Sequence, residues 1–351
     1  MLTGNGCSCA LGLSSRPSTN HHKSAGQEAS FTLRPLSGDL GVEVVGVDLK
    51  GGISPELHAQ LQEVMHTRDL LLFRGQDLTP KDEDAFMRGF PHNEEAVAAD
   101  KLSNFYFKDW RVPDHKLVAV QFSGLRLDNH FGVTSEEFNL SAKNKQAGIS
   151  FKTLWHMDLA QNQVPPEWVS LYMLQKPKNG GDTLFASTVG AYERLTPNQK
   201  KFVDSLEVVN RQPDSFEGTF QIDETGTWTD DPVQASGRVD SESSRRFEYT
   251  QPFAIRDPYT GQKSLLYHTR FFHCFKGYSR PESRAIIEEV LLPAIAPEHT
   301  YRHEWQNGDF IAWSNRKIIH TSTDPEKYAD EARLFHLVFL DSKQPLIPAR
   351  A

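Results

Sequence analysis

The stretch NGDFIAWSNRKIIHTST (residues 307–323) begins with an apolar segment and continues through the polar turn SNRK to a second apolar pair, which precedes His320. A short apolar run bounded by turn residues is typical of a buried strand. The stretch therefore predicts a strand followed by a turn, with an imidazole placed just beyond them.

Other short strand-like segments occur along the whole chain. They include VEVVGVDL (42–49), LLLFRGQ (70–76), PEWVSLYML (166–174) and ARLFHLVFLD (332–341). Helix signals are fewer, and the clearest begins at Ser54, which is followed by Pro55 and an amphipathic pattern. Because no strand–helix–strand unit repeats, the sequence predicts a mainly β fold, a sandwich or barrel that carries peripheral helices.

The composition divides the chain into regions of different character. Residues 1–28 are rich in Ser, Gly and Asn, and predict a disordered tail or a weak targeting segment. The expected domain spans residues 29–345. Within it, residues 91–150 are mostly polar, with one strand-like segment, KLVAVQF (116–122), and predict a lid or substrate region. Residues 213–246 predict a polar insertion.

Charge and cysteine content exclude several classes of protein. A net charge of −8 over 351 residues argues against a general nucleic-acid or anionic-membrane binder. No apolar run reaches the 18 or more residues of a membrane helix. Three cysteines do not form a disulfide framework, so a reducing, cytoplasmic setting is expected, with an organelle as the alternative. The expected partner is a small molecule, and a homo-oligomer is anticipated.

The segment WHMD (residues 155–158) places His156 and Asp158 two residues apart. Alternate residues of a strand share one face, so the two side chains could converge on a metal ion. Taken alone, such a pair is more often a solvent-facing polar pair. With His320 it forms a set of two histidines and one carboxylate, which leaves coordination positions open on Fe(II).

Two further residues suit an acidic ligand. Thr183 follows the glycine turn in GGDT (180–183), and Arg333 begins the strand-like segment 332–341. A guanidinium can bind a carboxylate through two parallel hydrogen bonds, and a hydroxyl can add a third. Together they could hold one end of a dicarboxylate.

The order of these motifs, from about Phe31 to Asp341, resembles the taurine dioxygenase (TauD/TfdA) family of Fe(II)/2-oxoglutarate-dependent dioxygenases. The resemblance rests on LSGDLGVEVVGVDL, LLLFRGQDLTP, WHMD, GGDTLFAST, the segment from Trp305 to His320, and the R-FH pattern from Arg333. It implies a double-stranded β-helix, the cupin-like jelly roll.

The resemblance also implies roles for individual residues. His156, Asp158 and His320 would bind Fe(II), while Thr183 and Arg333 would hold the distal carboxylate of 2-oxoglutarate. The implied reaction consumes O₂ and 2-oxoglutarate, releases succinate and CO₂, and oxidises a small polar or acidic molecule. Hydroxylation, desaturation and cyclisation all stay open.

Some positions depart from the family pattern. Leu337 stands where taurine-oxidising members carry a second Arg, four residues after the Arg that holds 2-oxoglutarate. Lys152 replaces a polar residue four positions before the first histidine of the set. Taurine is therefore not the expected substrate. We expect the substrate pocket near Lys152, Leu159 and Phe272.

Other aromatic and imidazole side chains near these motifs have simpler explanations. Trp155 and Trp313 occupy positions that resemble those flanking the metal in the family, but core packing is a better explanation for them than a direct chemical role. His268 and His273 could contact substrate, although ordinary strand histidines are more common.

Two different functions stay open on the residues alone. A metal-dependent hydrolase or lyase could also use two histidines and an aspartate, although it would not need Thr183 and Arg333. A non-catalytic binding module on the same fold is the other alternative. Consumption of 2-oxoglutarate only with Fe(II) and O₂ would discriminate among them.

Overall fold

The computed structural model describes residues 31–38, 40–100, 109–138, 155–160, 162–211, 221–222, 228–229, 248–269, 271–323, 327–328 and 331–350. The tail predicted over residues 1–28, the substrate candidate Lys152 and most of the polar insertion predicted over residues 213–246 lie outside these ranges. No helix of the described ranges is long and apolar enough to cross a membrane.

The helices begin where the sequence places capping residues. Ser54, Thr196 and Ser279 each accept a hydrogen bond from the backbone N–H three residues later, and a proline follows in the first turn. The helices of the described ranges are α1 (Pro55–Arg68), α2 (Pro80–Arg88), α3 (Glu94–Ala98), α4 (Thr188–Arg194), α5 (Pro197–Val203) and α6 (Arg280–Val290).

Strands make up most of the remaining regular structure. They are β1 (Thr32–Pro35), β2 (Val42–Val45), β3 (Leu70–Phe73), β4 (Arg111–Val112), β5 (His115–Ser123), β6 (Leu125–His130), β7 (Val133–Phe138), β8 (Trp168–Gln175), β9 (Thr183–Ser187), β10 (Glu207–Arg211), β11 (Gln221–Ile222), β12 (Trp228–Thr229), β13 (Glu248–Pro252), β14 (Ala254–Arg256), β15 (Lys263–Leu265), β16 (Phe272–Phe275), β17 (Thr300–His303), β18 (Asp309–Ser314), β19 (Ile318–Ser322), β20 (Arg333–Leu340) and β21 (Ile347–Pro348). The prediction of a mainly β fold with peripheral helices is confirmed.

The main sheet is buried on both faces at its centre. Its strand order is β1-β2-β3-β18-β8-β20-β5-β4. On one face, Phe73 of β3 and Phe310 of β18 pack against Phe86 of α2. Every residue of β3 and β18 is buried, so their apolar residues, 70–73 and 310–313, follow one another without alternation.

The other face of the main sheet packs against a second sheet of order β17-β9-β19. Phe185 of β9 meets Trp313 of β18 edge-on, with ring centroids 5.6 Å apart. The side chains buried between the two sheets form what we call the inner cluster: Leu40, Leu70, Leu72, Val169, Met173, Phe185, Tyr301, Trp305, Ile311, Trp313, Ile318, Leu337 and Phe339.

A separate buried group lies on the other side of the second sheet. Leu184 and Ala186 alternate with Phe185 along β9 and contact this group, as does Ile319 of β19. Its larger members, which we call the distal cluster, include Trp155, Met157, Phe253, Tyr267, Phe272 and Phe275. The second sheet therefore separates two apolar interiors.

Part of the region predicted as an irregular lid is regular. Within residues 109–138, β5 is an inner strand of the main sheet next to β20, and β6 pairs with β7 as a hairpin. The middle of β5 is buried on both faces, so its sequence lacks the alternation that marks a half-exposed strand. The role of this region in covering a substrate stays a prediction.

The predicted domain boundary at residue 345 is too early, because β21 pairs with β14 and the fold continues past that residue.

Candidate metal centre

The two histidines of the predicted metal group lie directly opposite each other at the edge of the second sheet. The backbone N–H of His156 donates to the carbonyl of His320 (3.0 Å), and the N–H of His320 donates to the carbonyl of His156 (2.9 Å). Directly opposed residues of an antiparallel pair point to the same face. The two imidazole rings consequently lie with their centroids 4.3 Å apart.

Asp158 completes the group from two residues further along. Its Oδ1 lies 3.6 Å from Nε2 of His156, and its Oδ2 lies 3.6 Å from Nε2 of His320. One ligand atom from each of the three residues lies within 4.8 Å of the others. The structure thus brings together all three residues that the sequence proposed.

The protonation states of the group fit a divalent cation. Burial, and then the nearby charge of His156, lower the pKa of His320 to about 4, so this imidazole is neutral at pH 7. Burial opposes ionisation of Asp158, but His320, His156 and His268 outweigh it and lower the pKa of this carboxyl. Metal binding requires neutral imidazole and ionised carboxylate. Asp158 Oδ2 is also buried, with no hydrogen-bond partner among the described residues.

Aromatic rings contact His320 on the face of the second sheet that packs against the main sheet, which we call the inner face. Trp313 approaches its ring edge-on at 5.2 Å, and Phe185 stacks against it at 5.8 Å. Trp313 belongs to the inner cluster and Trp155 to the distal cluster, and both side chains are fully buried. Both tryptophans therefore pack in the core, and Trp313 also contacts a member of the metal group.

Thr183 lies on the same inner face, at the start of β9. It pairs with Ser322, two residues beyond His320 in β19. The indole N–H of Trp305 donates to Thr183 Oγ1 at 3.0 Å. The contact with Trp305 uses the oxygen only as an acceptor, so the hydroxyl hydrogen can still donate to an acceptor in the site.

Arg333 is a partly buried cation that has no acidic partner among the described residues. Its guanidinium carbon lies 4.6 Å from the ring centre of Phe335 and 5.6 Å from that of Tyr328, and its Nε has no hydrogen-bond partner within the described ranges. Burial disfavours the charged form and lowers the pKa of Arg333. A bound carboxylate would offset this cost by forming charge-assisted hydrogen bonds.

The predicted substrate residues occupy different places. Leu159 packs against the inner cluster and has a φ of +50°, an uncommon conformation for a residue with a branched side chain. Phe272 is buried in the distal cluster against Tyr267 and Phe275, so the structure does not place it with Leu159. Leu337, the departure from the family pattern, faces the inner cluster.

The two further histidines also differ in position. His268 forms a backbone bridge with His156, and their ring centroids lie 5.4 Å apart. His273 instead contacts Arg280, whose guanidinium lies 3.1 Å from the imidazole Nδ1. His268 is thus the histidine of the 268–273 segment that borders the metal group.

Sequence reasoning did not single out two residues that hold the site. Asn315 bonds to the backbone of Asp158, and Trp305 bonds to Thr183. Both lie in the Trp305-to-His320 segment, but an Asn in a turn and a Trp before a glycine turn carry no signal that identifies these partners.

Comparison with known proteins agrees with this geometry. Residues 32–338 match the family model described as "Taurine catabolism dioxygenase TauD, TfdA family". The alkylsulfatase of Acinetobacter baylyi is 26% identical over 311 residues, which cover 88% of this chain and 84% of that protein. The alpha-ketoglutarate-dependent 2,4-dichlorophenoxyacetate dioxygenase of a Burkholderia species is 25% identical over 280 residues, covering 79% of this chain and 84% of that protein.

The fold agrees as well. A taurine dioxygenase structure from Burkholderia xenovorans superposes with a TM-score of 0.65 at 25% identity, covering 91% of this chain and 92% of the other. The predicted jelly roll is therefore confirmed. Since the family model spans most of the chain, this protein belongs to the taurine catabolism dioxygenase TauD, TfdA family.

Proposed function

We propose that this protein oxidises a small polar or acidic organic molecule at the group formed by His156, Asp158 and His320. The protein is a non-haem iron dioxygenase whose cofactors are Fe(II), 2-oxoglutarate and O₂, as its family membership implies. The observation that carries the site assignment is the convergence of two imidazoles and one carboxylate within 4.8 Å on the inner face.

Bound Fe(II) would supply activation of O₂, coupled to decarboxylation of 2-oxoglutarate. In the overall reaction, a C–H bond of the substrate becomes C–OH, and 2-oxoglutarate becomes succinate and CO₂. One oxygen atom of O₂ enters the hydroxyl group and the other enters succinate, so atoms and electrons balance. Hydroxylation is the outcome that we propose.

The residues of the chain would bind, orient and enclose the reactants. Arg333 and Thr183 would hold the distal carboxylate of 2-oxoglutarate, since the first is a partly buried cation without an acidic partner among the described residues and the second can donate its hydroxyl hydrogen. Phe185 and Trp313 line the inner face beside His320 and would exclude water from it.

The side chain at position 337 bears on the class of substrate. Leu337 is buried in the inner cluster, on the same face of β20 as Arg333. An apolar side chain cannot bind a sulfonate at this point, so we propose a substrate that presents an apolar portion here. Its polar or acidic group would bind elsewhere, and Lys152 is the candidate that we propose for it.

The function is tested by measuring succinate formation aerobically with Fe(II), 2-oxoglutarate and a panel of substrates. The panel would hold taurine, a longer alkylsulfonate, an alkyl sulfate and a phenoxyacetate. We expect succinate above the substrate-free rate with one of the larger apolar members, dependent on both Fe(II) and O₂, and little with taurine. Product released without 2-oxoglutarate consumption would contradict the proposal and favour a hydrolase.

Two broader expectations stay predictions. We propose that the protein forms a homo-oligomer and that it acts in the cytoplasm. Light scattering would test the first, and fractionation of cells that express the full chain would test the second.

A further inference from the structure

Asn315 lies in the turn between β18 and β19, five residues before His320, and its side chain is fully buried. Its amide makes three hydrogen bonds to a distant part of the chain. Oδ1 accepts from the backbone N–H of Asp158 (2.9 Å), and Nδ2 donates to the carbonyls of Asp158 (2.8 Å) and Pro166 (3.0 Å). One side chain therefore satisfies both backbone polar groups of Asp158.

The backbone changes direction at this point. His156 is paired with His320, whereas Leu159, directly after Asp158, has a φ of +50° and has left the extended conformation. Backbone groups at such a point lack a strand partner and need another one when they are shielded from water. The Asn315 amide makes the two hydrogen bonds to the Asp158 backbone that a neighbouring strand would otherwise make.

We propose that Asn315 is a positioning residue that fixes the Asp158 carboxylate relative to the two histidines of the metal group. The segment formed by β18, the turn and β19, which links the two sheets, would then position all three residues of the metal group. It carries His320 directly, holds His156 through the paired backbone bonds, and holds Asp158 through Asn315. This inference rests on the proposed function, because it treats the three residues as metal ligands.

The chemistry of an amide explains why this position is an asparagine. The two contacts to Asp158 require one acceptor and one donor on the same planar group, which Asn provides. An aspartate could accept from the N–H but could not donate to the two carbonyls. A leucine keeps the branching at Cγ and is not smaller than asparagine, but it provides neither group, so it removes the hydrogen bonds without opening a cavity.

The neighbouring residue provides a matched control. Arg316 lies in the same turn and is also buried, and its guanidinium donates to the carbonyls of Pro165 and Gln344. It thus ties the same turn to the chain just before β8 without touching Asp158. Replacement of Arg316 therefore shows how far a less tightly held turn alone changes stability and metal affinity.

The test compares Mn(II) binding by calorimetry in the wild-type protein, Asn315→Leu and Arg316→Met, with urea unfolding of all three. We expect Asn315→Leu to weaken Mn(II) binding by about 10- to 100-fold, the range for residues that orient metal ligands. Arg316→Met should lower the urea midpoint while keeping Mn(II) affinity within about threefold of the wild type. Equal Mn(II) affinity in Asn315→Leu and the wild type would overturn the inference, as would equal losses in both variants.

The same experiment separates this inference from the proposed function. Failure of the folded wild-type protein to bind Mn(II) would overturn both. Normal wild-type binding with an unaffected Asn315→Leu would overturn only the role of Asn315.

A measurement on the wild-type protein alone covers the case in which Asn315→Leu does not fold. The amide hydrogen of Asp158 should exchange with solvent slowly in the metal-free protein, because Asn315 Oδ1 holds it. Exchange at the rate of an unprotected amide would overturn the inference.

Discussion

His156 and His320 exchange two backbone hydrogen bonds, of 3.0 and 2.9 Å, although a large part of the chain separates them in sequence. This pairing fixes the register between the segment that carries WHMD and strand β19. A shift of one residue would turn one imidazole to the opposite face. Backbone pairing therefore sets the relative position of the two histidines and brings their side chains together.

Removal of the Arg333 guanidinium should weaken binding of 2-oxoglutarate. In Arg333→Met we expect KM for 2-oxoglutarate to rise by about 30-fold or more, since losing the charged partner of a buried carboxylate costs about 2–5 kcal/mol. Steady-state succinate formation at varied 2-oxoglutarate would measure the change. The maximal rate should fall less than the apparent affinity.

Arg302→Met serves as the control for that variant. Arg302 already pairs with Asp182 at 2.7 Å and is half exposed, so removal of this surface ion pair should cost no more than about 1 kcal/mol. Its KM for 2-oxoglutarate should stay close to the wild-type value. If the two variants behave alike, the carboxylate is held by other residues.

Trp305→Phe should loosen the hold of Thr183 on the cosubstrate. The variant keeps an aromatic ring in the inner cluster but loses the indole N–H that donates to Thr183 Oγ1. We expect KM for 2-oxoglutarate to rise by about fivefold, equivalent to about 1 kcal/mol for one hydrogen bond. In a Thr183→Val background the same substitution should have no further effect, and an additive loss would refute this coupling.

A buried network outside the metal centre predicts how stability depends on pH. Nδ1 of His336 lies 2.5 Å from Glu83 Oε1, and its Nε2 lies 2.7 Å from Nε2 of His130. Burial, and then the nearby charge of His336, lower the pKa of His130 from 6.5 to about 4. Between these two values the unfolded chain binds a proton that the folded protein does not, so stability falls as pH falls through this window.

Urea unfolding at pH 7.5 and 5.0 would test this prediction with His130→Gln, which removes the titrating group. Other buried histidines also make the protein less stable on acidification. The informative quantity is therefore the difference between the variant and the wild type in the free energy of unfolding lost from pH 7.5 to 5.0. We expect the variant to lose less stability than the wild type, by about 1–3 kcal/mol. An equal loss in both proteins would show that His130 takes up its proton equally well in the folded state.

Local sequence patterns were sufficient to predict much of the fold and site. The spacing of His156 and Asp158 indicates a shared face, and the capping residues of α1, α5 and α6 mark where those helices begin. In contrast, the pairing of His156 with His320 joins distant segments, and no local pattern specifies which strands become neighbours. The same limit applies to Asn315, whose partner Asp158 is known only once the chain has folded.

Exposure and burial explain the remaining differences. The strand-like segment 116–122 was predicted and lies within β5, whereas the hairpin of β6 and β7 is mostly exposed and has few apolar residues, so its sequence indicated an irregular region. Phe272 lies next to polar and aromatic residues in sequence, yet it packs in the distal cluster. Phe272 belongs to β16, which pairs with β10 and not with the second sheet, and local sequence does not specify which sheet a strand joins.

The most direct test of the metal assignment is an anaerobic visible-absorption titration of the purified protein with Fe(II), followed by 2-oxoglutarate. A charge-transfer band should appear only when both are present, and it should be missing in folded His156→Ala. No band in folded, Fe(II)-loaded wild-type protein, or an unchanged band in His156→Ala, would contradict the assignment of His156, Asp158 and His320 as the metal centre.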